Sequence, residues 1–464
     1  MPLTIPFDTT YVSLPDRFYT PMDADPVSAP ELIVFNHALA AQLGLDVSDM
    51  SDAEAAQIFS GNSIPDGAQP FAQVYAGHQF GGFSAQLGDG RALHLGEVDA
   101  PIGRHDIQLK GSGRTPYSRG GDGRAWVGPV LREYLMSCAM DALGIPTTKA
   151  LAAVTTGDKI LREQGPLPGA IVTRVAASHI RVGTFQFFAA RGDIEGVQAL
   201  VDYTIQRHYP TAQDPFQLFE MVMQRHAELV AKWMSVGFIH GVMNTDNVQI
   251  AGETIDYGPC AFMDTYHPDT VFSSIDRQGR YAYSNQGPIT HWNLAQFATS
   301  LVTIMPDTDK AIEAFTEILN RFPALYEAEW AKAFAPKIGL PESDEATSLV
   351  KELLQHMADD ELDFTNSFYN LDIVSRRYPD WHARWKAARP IKAVWLITNP
   401  KIIPRTHRIE QVITAATVGD FAPFHELLNA VSAPFTYSDA GKSITEFMSP
   451  PRDDEKVHQT FCGT

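Results

Sequence analysis

The stretch His240–Asn247, HGVMNTDN, has the outline of a phosphotransfer loop. Kinase catalytic loops read H-R-D-L-x-x-x-N, and small-molecule kinases read much the same with Gly in second place. His240, Gly241 and Asn247 fall in register, but the third position, where such loops keep their proton acceptor, is Val242. Valine cannot take a proton. Nine residues after Asn247, Asp256-Tyr257-Gly258 stands where kinases have D-F-G. A nucleotide triphosphate needs a divalent ion, and Mg²⁺ prefers one or two protein oxygens beside phosphate and water. Asn247 offers an amide oxygen and Asp256 a carboxylate. Taken singly, these are a helix cap and a turn; together at this spacing they favour a metal–ATP site. Two readings stay open at this point: an inactive kinase, or an enzyme doing different chemistry on ATP.

Other residues suit the same chemistry. Lys110 ends the segment IQLK, which resembles the kinase V-A-I-K strand, and Glu133 lies in the following helical stretch. A lysine neutralises phosphate charge as a point cation and a glutamate holds it in place. In QLGDGRALHLGEV, Gly88, Gly90 and Gly96 read as a strand–turn–strand lid whose amides approach phosphates, with Arg91 adding a fixed charge. Arg174 and Arg181 lie seven residues apart in an apolar neighbourhood, and arginine binds phosphate bidentately. A second glycine-rich segment after Lys110 contains Asp122 and Gly123 but does not match G-x-G-x-x-G, so a Rossmann site is a poor reading. Gly441-Lys442-Ser443 resembles the end of a Walker A motif, but Thr436 replaces the required upstream glycine.

The elements that must position these residues read as follows. A helical pattern covers Glu31–Leu43, and Phe71 to about Ile107 is strand-like. His105–Lys110 alternates, and Val127 onward is an amphipathic helix ended by Gly144 and Pro146. Strand signals recur near 150–154, 159–161 and 170–175. From about Phe188 the chain is mostly helical, with a long helix over Asp214–Val236. Val248–Tyr257 reads as a hairpin with Gly252 in its turn. The tail after about Gly441 is polar and is expected to be loosely held until the closing PRDDEKVHQTFCGT. The order predicts an α+β, protein-kinase-like two-lobed fold with a strand-rich N-lobe and a helical C-lobe. Its divisions are an N-terminal extension at 1–70, the N-lobe at 71–187, the C-lobe at 188–400 and a C-terminal helical segment and tail at 401–464.

A net charge of −19 over 464 residues argues against general nucleic-acid binding. No apolar run reaches about 18 residues, so no membrane span is expected. The first residues lack the basic and apolar regions of a signal peptide, so the cytoplasm is the expected compartment. Three scattered cysteines exclude a disulfide scaffold or a structural zinc site.

The longer motifs YAGHQFGGFSAQLGDGRA, QLKGSGRTPYSRGGDGRA, TRVAASHIRVGTFQFFAARGD, FIHGVMNTDN and TIDYGPCAFMD closely resemble the selenoprotein O family, whose bacterial members are also called YdiU proteins. The resemblance is dense from Tyr75 to Asn293. It implies a kinase-like fold that binds ATP flipped and transfers AMP to protein hydroxyls, with UMP transfer from UTP also ascribed to bacterial members. By that resemblance Lys110 and Glu133 form the ion pair, and Gly88, Gly90, Arg91, Lys110, Asp122, Gly123, Arg174, Arg181 and Asp256 bind nucleotide. Asn247 and Asp256 hold Mg²⁺ or Mn²⁺, and Asp246 is the proton acceptor, so the base has moved along the loop from position 242. The alternatives are an ordinary kinase acting on the γ-phosphate, or a non-catalytic ATP-binding scaffold. Protein substrates, redox-related ones among them, and self-modification follow from the same resemblance. So does a redox disulfide between Cys260 and Cys462, closing a loop of about 200 residues and contributing about 5 kcal/mol on chain-entropy grounds; the alternative is two unpaired thiols. Cys138, on the apolar face of the Glu133 helix, is expected to be buried and inert.

Overall fold

The computed structural model describes residues 5–436 and 444–461. In chain order its strands are β1 (Tyr19–Pro21), β2 (Glu31–Phe35), β3 (Phe71–Gln73), β4 (Gly77–Gln79), β5 (Gly82–Ser84), β6 (Ala92–Ala100), β7 (Gly103–Lys110), β8 (Ala125–Trp126), β9 (Lys149–Arg162), β10 (Gly165–Ala176), β11 (Phe238–Ile239) and β12 (Ala261–Phe262). An antiparallel sheet runs β1-β3-β6-β7-β10-β9-β2, with β8 also paired to β10. The edge strands β1 and β2 come from the first seventy residues. The pairs β4–β5 and β11–β12 stand apart from this sheet.

The alternation of β7 sets the two faces. Ile107 and Leu109 point into a core with α1 (His37–Gln42) and α2 (Asp52–Phe59), which Leu39, Ile58, Phe59, Val154 and Ile171 complete. Asp106, Gln108 and Lys110 point the other way. Register places Val172 opposite Lys110 and Arg174 opposite Gln108, so Lys110 and Arg174 share that face as diagonal neighbours. Against it packs α3 (Val127–Ala142), whose Val130, Leu131, Tyr134 and Leu135 are buried with Ala153 and Val172.

Four helices follow: α4 (Val182–Ala189), α5 (Ile194–His208), α6 (Pro215–Ser235) and α7 (Gln286–Val302). The Asp214 side chain caps α6 by accepting from the Gln217 N–H at 2.8 Å, Pro215 suits its first turn, and Gly237 at φ +71° ends it. The described chain beyond is helical, and the helices Thr406–Thr417 and Ala422–Val431 return to pack on α3, where Tyr134 meets Phe424 edge-on. The fold is thus a mixed α and β structure with a strand-rich first part and a helical second part.

Three local expectations are corrected. Glu31–Leu43 is not one helix: ELIVF, rich in branched residues, pairs with β9 as β2, and Asn36 then caps the short α1 by accepting from the Leu39 N–H. Val248–Tyr257 is not a hairpin. Gly252 makes the turn, but the two arms pair outward, Gln249 with Arg181 and Thr254 with Thr147, so neighbouring segments take the hydrogen bonds. The tail from Ile444 to Phe461 is not loose: Phe447 is buried, Arg405 donates to the Met448 carbonyl at 2.9 Å, and Thr460 bridges to Ser273. Gly441, Lys442 and Ser443 lie outside the described residues.

Candidate active site

At the C-terminal end of β7 the sheet face, α3 and the segment after the loop converge. Lys110 Nζ donates to Glu133 Oε2 at 2.7 Å and also to Asp256. Arg174, one strand over, donates to Glu133 and, at 2.9 Å, to Asp256 Oδ1. Two cations and two carboxylates thus form a closed ring of ion pairs, buried except at Asp256, whose side chain is 21 % exposed. Burial opposes the charge on Asp256, but Lys110 and Arg174 outweigh it and hold the carboxyl well below its usual range. Glu133 is lowered in the same way, Arg174 and Lys110 overcoming its burial. Asp256 sits at φ +69°, an uncommon conformation for a non-glycine residue, and its carbonyl accepts from the Gly258 N–H at 3.0 Å.

Beside this ring is a cavity of about 450 Å³. Its lining brings together Gly88, Gly90, Arg91, Lys110, Asp122, Gly123, Arg174, Arg181, Asp246, Asn247 and Asp256. Glu133 stands behind Lys110 and lines an adjoining cavity of about 1180 Å³, which shares Arg91, Lys110 and Arg162 with the smaller one.

The glycines are used for close approach. A side chain on Gly88 would strike Tyr117, and one on Gly90 would come within 2.8 Å of the Tyr117 carbonyl, so the Gly88–Gly90 turn fits under the 115–118 segment. Gly123, at φ +66°, lies so close to Gly113 that an added Cβ would stand 1.9 Å from its carbonyl oxygen. Gly96 is not part of that turn; it sits in a bulge of β6 against Phe7. Asp122 accepts from the Arg124 N–H at 2.9 Å and from Arg162 at 2.8 Å, and it is exposed at the rim.

Arg181 lies over the Tyr75 ring at 4.2 Å and reaches Asp89 at 3.4 Å, while its Nε, buried, has no partner. Asn247 donates from Nδ2 to the Val242 carbonyl at 3.0 Å, which leaves its amide oxygen free of that bond. Val242 is buried and supports Asn247 through its backbone. Asp246 is 9 % exposed; Oδ2 accepts from Gln79 at 3.0 Å and Oδ1 has no partner. Burial raises the Asp246 carboxyl to about 6, against the pull of the Gln79 hydrogen bond and Arg181. A buried carboxylate with one unpaired oxygen, next to an amide and a second carboxylate, is a donor set of hard oxygens that fits Mg²⁺ or Mn²⁺.

Cys260 is fully buried, and burial pushes its thiol up to about 12. Cys462 lies outside the described residues. Cys138 is only half-buried, because the α3 position it occupies faces the rim of the core; burial still raises its thiol to about 12.

Sequence reading missed Tyr75, Gln79 and Asp89, although all three lie inside its quoted motifs. It also missed a buried group of His94, Asp106 and His179, whose ligand atoms lie within 4.8 Å of one another. There His179 Nδ1 is 3.0 Å from Asp106 Oδ2, Arg207 takes Asp106 Oδ1 at 2.6 Å, and Gln108 takes His94 Nε2 at 2.9 Å. These partners tie the group into a buried hydrogen-bond network in which His179 Nε2 is left without a partner, and none of its members lines the cavity.

Comparison with known proteins shows the family. The protein adenylyltransferase SelO family profile matches residues 2–387. A protein nucleotidyltransferase YdiU of Jannaschia sp. (strain CCS1) is 54 % identical over 485 residues, covering 100 % of both chains. One of Ruegeria sp. (strain TM1040) is 55 % identical over 479 residues with the same coverage. One of Anoxybacillus flavithermus (strain DSM 21510 / WK1) is 50 % identical over 479 residues, covering 99 % of each. With nearly the whole chain matched at this identity, and with the expected residues gathered around one cavity, the chain belongs to the protein adenylyltransferase SelO family.

Proposed function

We propose that this chain transfers AMP from ATP to serine, threonine or tyrosine hydroxyls of proteins. The observation that carries the reading is the buried, half-satisfied Asp246 carboxylate on the same cavity as Asn247, Asp256 and the cationic side chains of Lys110, Arg174 and Arg181. Asp246 accepts the hydroxyl proton as the oxygen attacks the α-phosphorus. The bond from that phosphorus to the bridging oxygen breaks, and pyrophosphate leaves. Lys110, Arg174 and Arg181 face the departing negative charge, and Glu133 keeps Lys110 and Arg174 in place. Gly88, Gly90 and Gly123 let the backbone approach the nucleotide, with Arg91 and Asp122 at its rim. Asn247 and Asp256 are the residues that would hold Mg²⁺ or Mn²⁺, which supplies charge neutralisation of the phosphates. UTP is an alternative donor in the same pocket. The first test is intact-mass analysis after incubation with ATP and metal: added AMP is expected, lost in Asp256→Ala, whereas added phosphate would mean a kinase and no addition a scaffold.

The architecture we propose for this chemistry is kinase-like. An N-terminal extension (1–70) lends edge strands to an N-lobe (71–187), a helical C-lobe (188–400) follows, and a C-terminal segment (401–464) packs back on α3. Among protein substrates, redox-related proteins and the chain itself are proposed. A Cys260–Cys462 disulfide, formed as both thiols give up their protons and two electrons to an oxidant, is proposed as a control on substrate access. The Thr460 hydroxyl donates to the Pro259 carbonyl, which supports it by holding the chain two residues before Cys462 against the neighbour of Cys260. Non-reducing peptide mapping after mild oxidation tests this, and free thiols on both cysteines would end it.

A further inference from the structure

The small hairpin β4–β5 runs beside the loop that carries Asp246, and it grips three consecutive loop residues. The Phe80 N–H donates to Asn244 Oδ1 at 3.2 Å, the His78 N–H donates to Thr245 Oγ1 at 2.7 Å, and Gln79 Nε2 donates to Asp246 Oδ2 at 3.0 Å. The approach is close: a Cβ added to Gly77 would stand 2.7 Å from Asp246 Oδ1. The grip is braced from behind. Gln186 accepts from the Thr245 hydroxyl at 2.7 Å and bonds His78 Nδ1 at 2.9 Å, and the Tyr281 hydroxyl donates to Asn244 at 2.6 Å. Two of the three contacts come from the hairpin backbone. The one on Asp246 comes from a side chain, which lines the cavity itself.

A carboxylate turns readily about its last torsion, because that rotor is broad and two-fold. Ionised, it accepts hydrogen bonds and cannot donate. A single donor on one oxygen therefore fixes the angle at which the carboxylate stands. We propose that Gln79 is a positioning residue for the transfer reaction: by donating to Oδ2 of Asp246, while Oδ1 lies against Gly77, it fixes the carboxylate in the orientation in which it meets the acceptor hydroxyl. This rests on Asp246 being the proton acceptor. The side-chain hydrogen bond of Gln79 goes to Asp246 and not to the ion-pair ring or Arg181, so its removal is expected to act on the chemical step.

The test is Gln79→Met, which keeps length and bulk and removes the donor, compared with Gln79→Ala and with Asp246→Asn. Each is assayed for kcat of AMP transfer, for ATP affinity by calorimetry and for thermal stability. A lost hydrogen bond to a charged group predicts a fall in kcat of about ten- to hundredfold, with ATP affinity unchanged and the thermal midpoint lowered by no more than about 3 °C. Wild-type kcat in Gln79→Met overturns the proposal. So does a fall in kcat matched by weaker ATP binding and a midpoint lowered by more than that, because that would be a structural role. If Asp246→Asn still transfers AMP, the base assignment itself fails; if Asp246→Asn is inactive while Gln79→Met is fully active, only the role of Gln79 fails.

Discussion

Replacing Asp246 with asparagine should stabilise the protein while it abolishes transfer. The carboxyl is raised from its ordinary 3.8 to about 6, chiefly by burial, so the fold holds the charged form at a cost. The sign follows from linkage. Below pH 3.8 the group is protonated folded and unfolded, and it contributes nothing. Between the two values the unfolded chain loses its proton first, and above about 6 the whole penalty is present. Two pH units correspond to about 3 kcal/mol against the folded state at pH 8, and about 1 kcal/mol at pH 4.5. For a chain of this length, about 3 kcal/mol is worth roughly 3 °C in the thermal midpoint. Asp246→Asn keeps the shape and removes the charge, and Gln79 can turn its amide to accept from it. Scanning calorimetry with chelator and no nucleotide should show the variant melting higher at pH 8, with most of the gain gone at pH 4.5. An equal gain at both pH values would mean that charge is not the cause. A lower midpoint at pH 8 would mean that the carboxylate is better satisfied than its unpaired Oδ1 indicates.

Glu133 anchors both Lys110 and Arg174, so Glu133→Ala leaves two buried cations sharing Asp256 and should cost about 3–5 kcal/mol of stability, read by denaturant titration, along with transfer. Gly123→Ala should weaken nucleotide binding and destabilise the chain by more than about 1 kcal/mol, because the new methyl meets the Gly113 carbonyl; ATP calorimetry and thermal scans check it. Asp256→Asn should bind nucleotide but lose the dependence of that binding on divalent ion, measured by titration with and without chelator. It should also melt lower, since its carboxylate pairs with Lys110 and Arg174.

Much of the site was legible because its residues sit at rigid points with strong local signals. Lys110 closes an alternating strand, Glu133 falls on a helix with clean stops, and Asn247 and Asp256 keep their spacing across a turn. That Arg174 shares Glu133 and Asp256 with Lys110 depends on the register of β7 against β10, and one sequence does not fix which strands pair. The hairpin expected at Val248–Tyr257 failed for a similar reason: its local pattern was right, but the partners for its arms lay at Thr147 and Arg181. Gln79 carries no signal of its own, since a glutamine in a short glycine-flanked strand becomes informative only when Asp246 is seen beside it. The role proposed for Asp246 comes from family resemblance; what the structure adds is that its carboxylate is buried and half-satisfied.

Which phosphorus the hydroxyl attacks separates AMP transfer from kinase chemistry most directly. Wild-type protein and Asp246→Asn, each incubated with divalent metal and with ATP labelled at either the α- or the γ-phosphate, should be resolved for label on protein. Label from the α-phosphate alone, absent in Asp246→Asn, is the expected result. Label from the γ-phosphate, or α-label undiminished in Asp246→Asn, would contradict it.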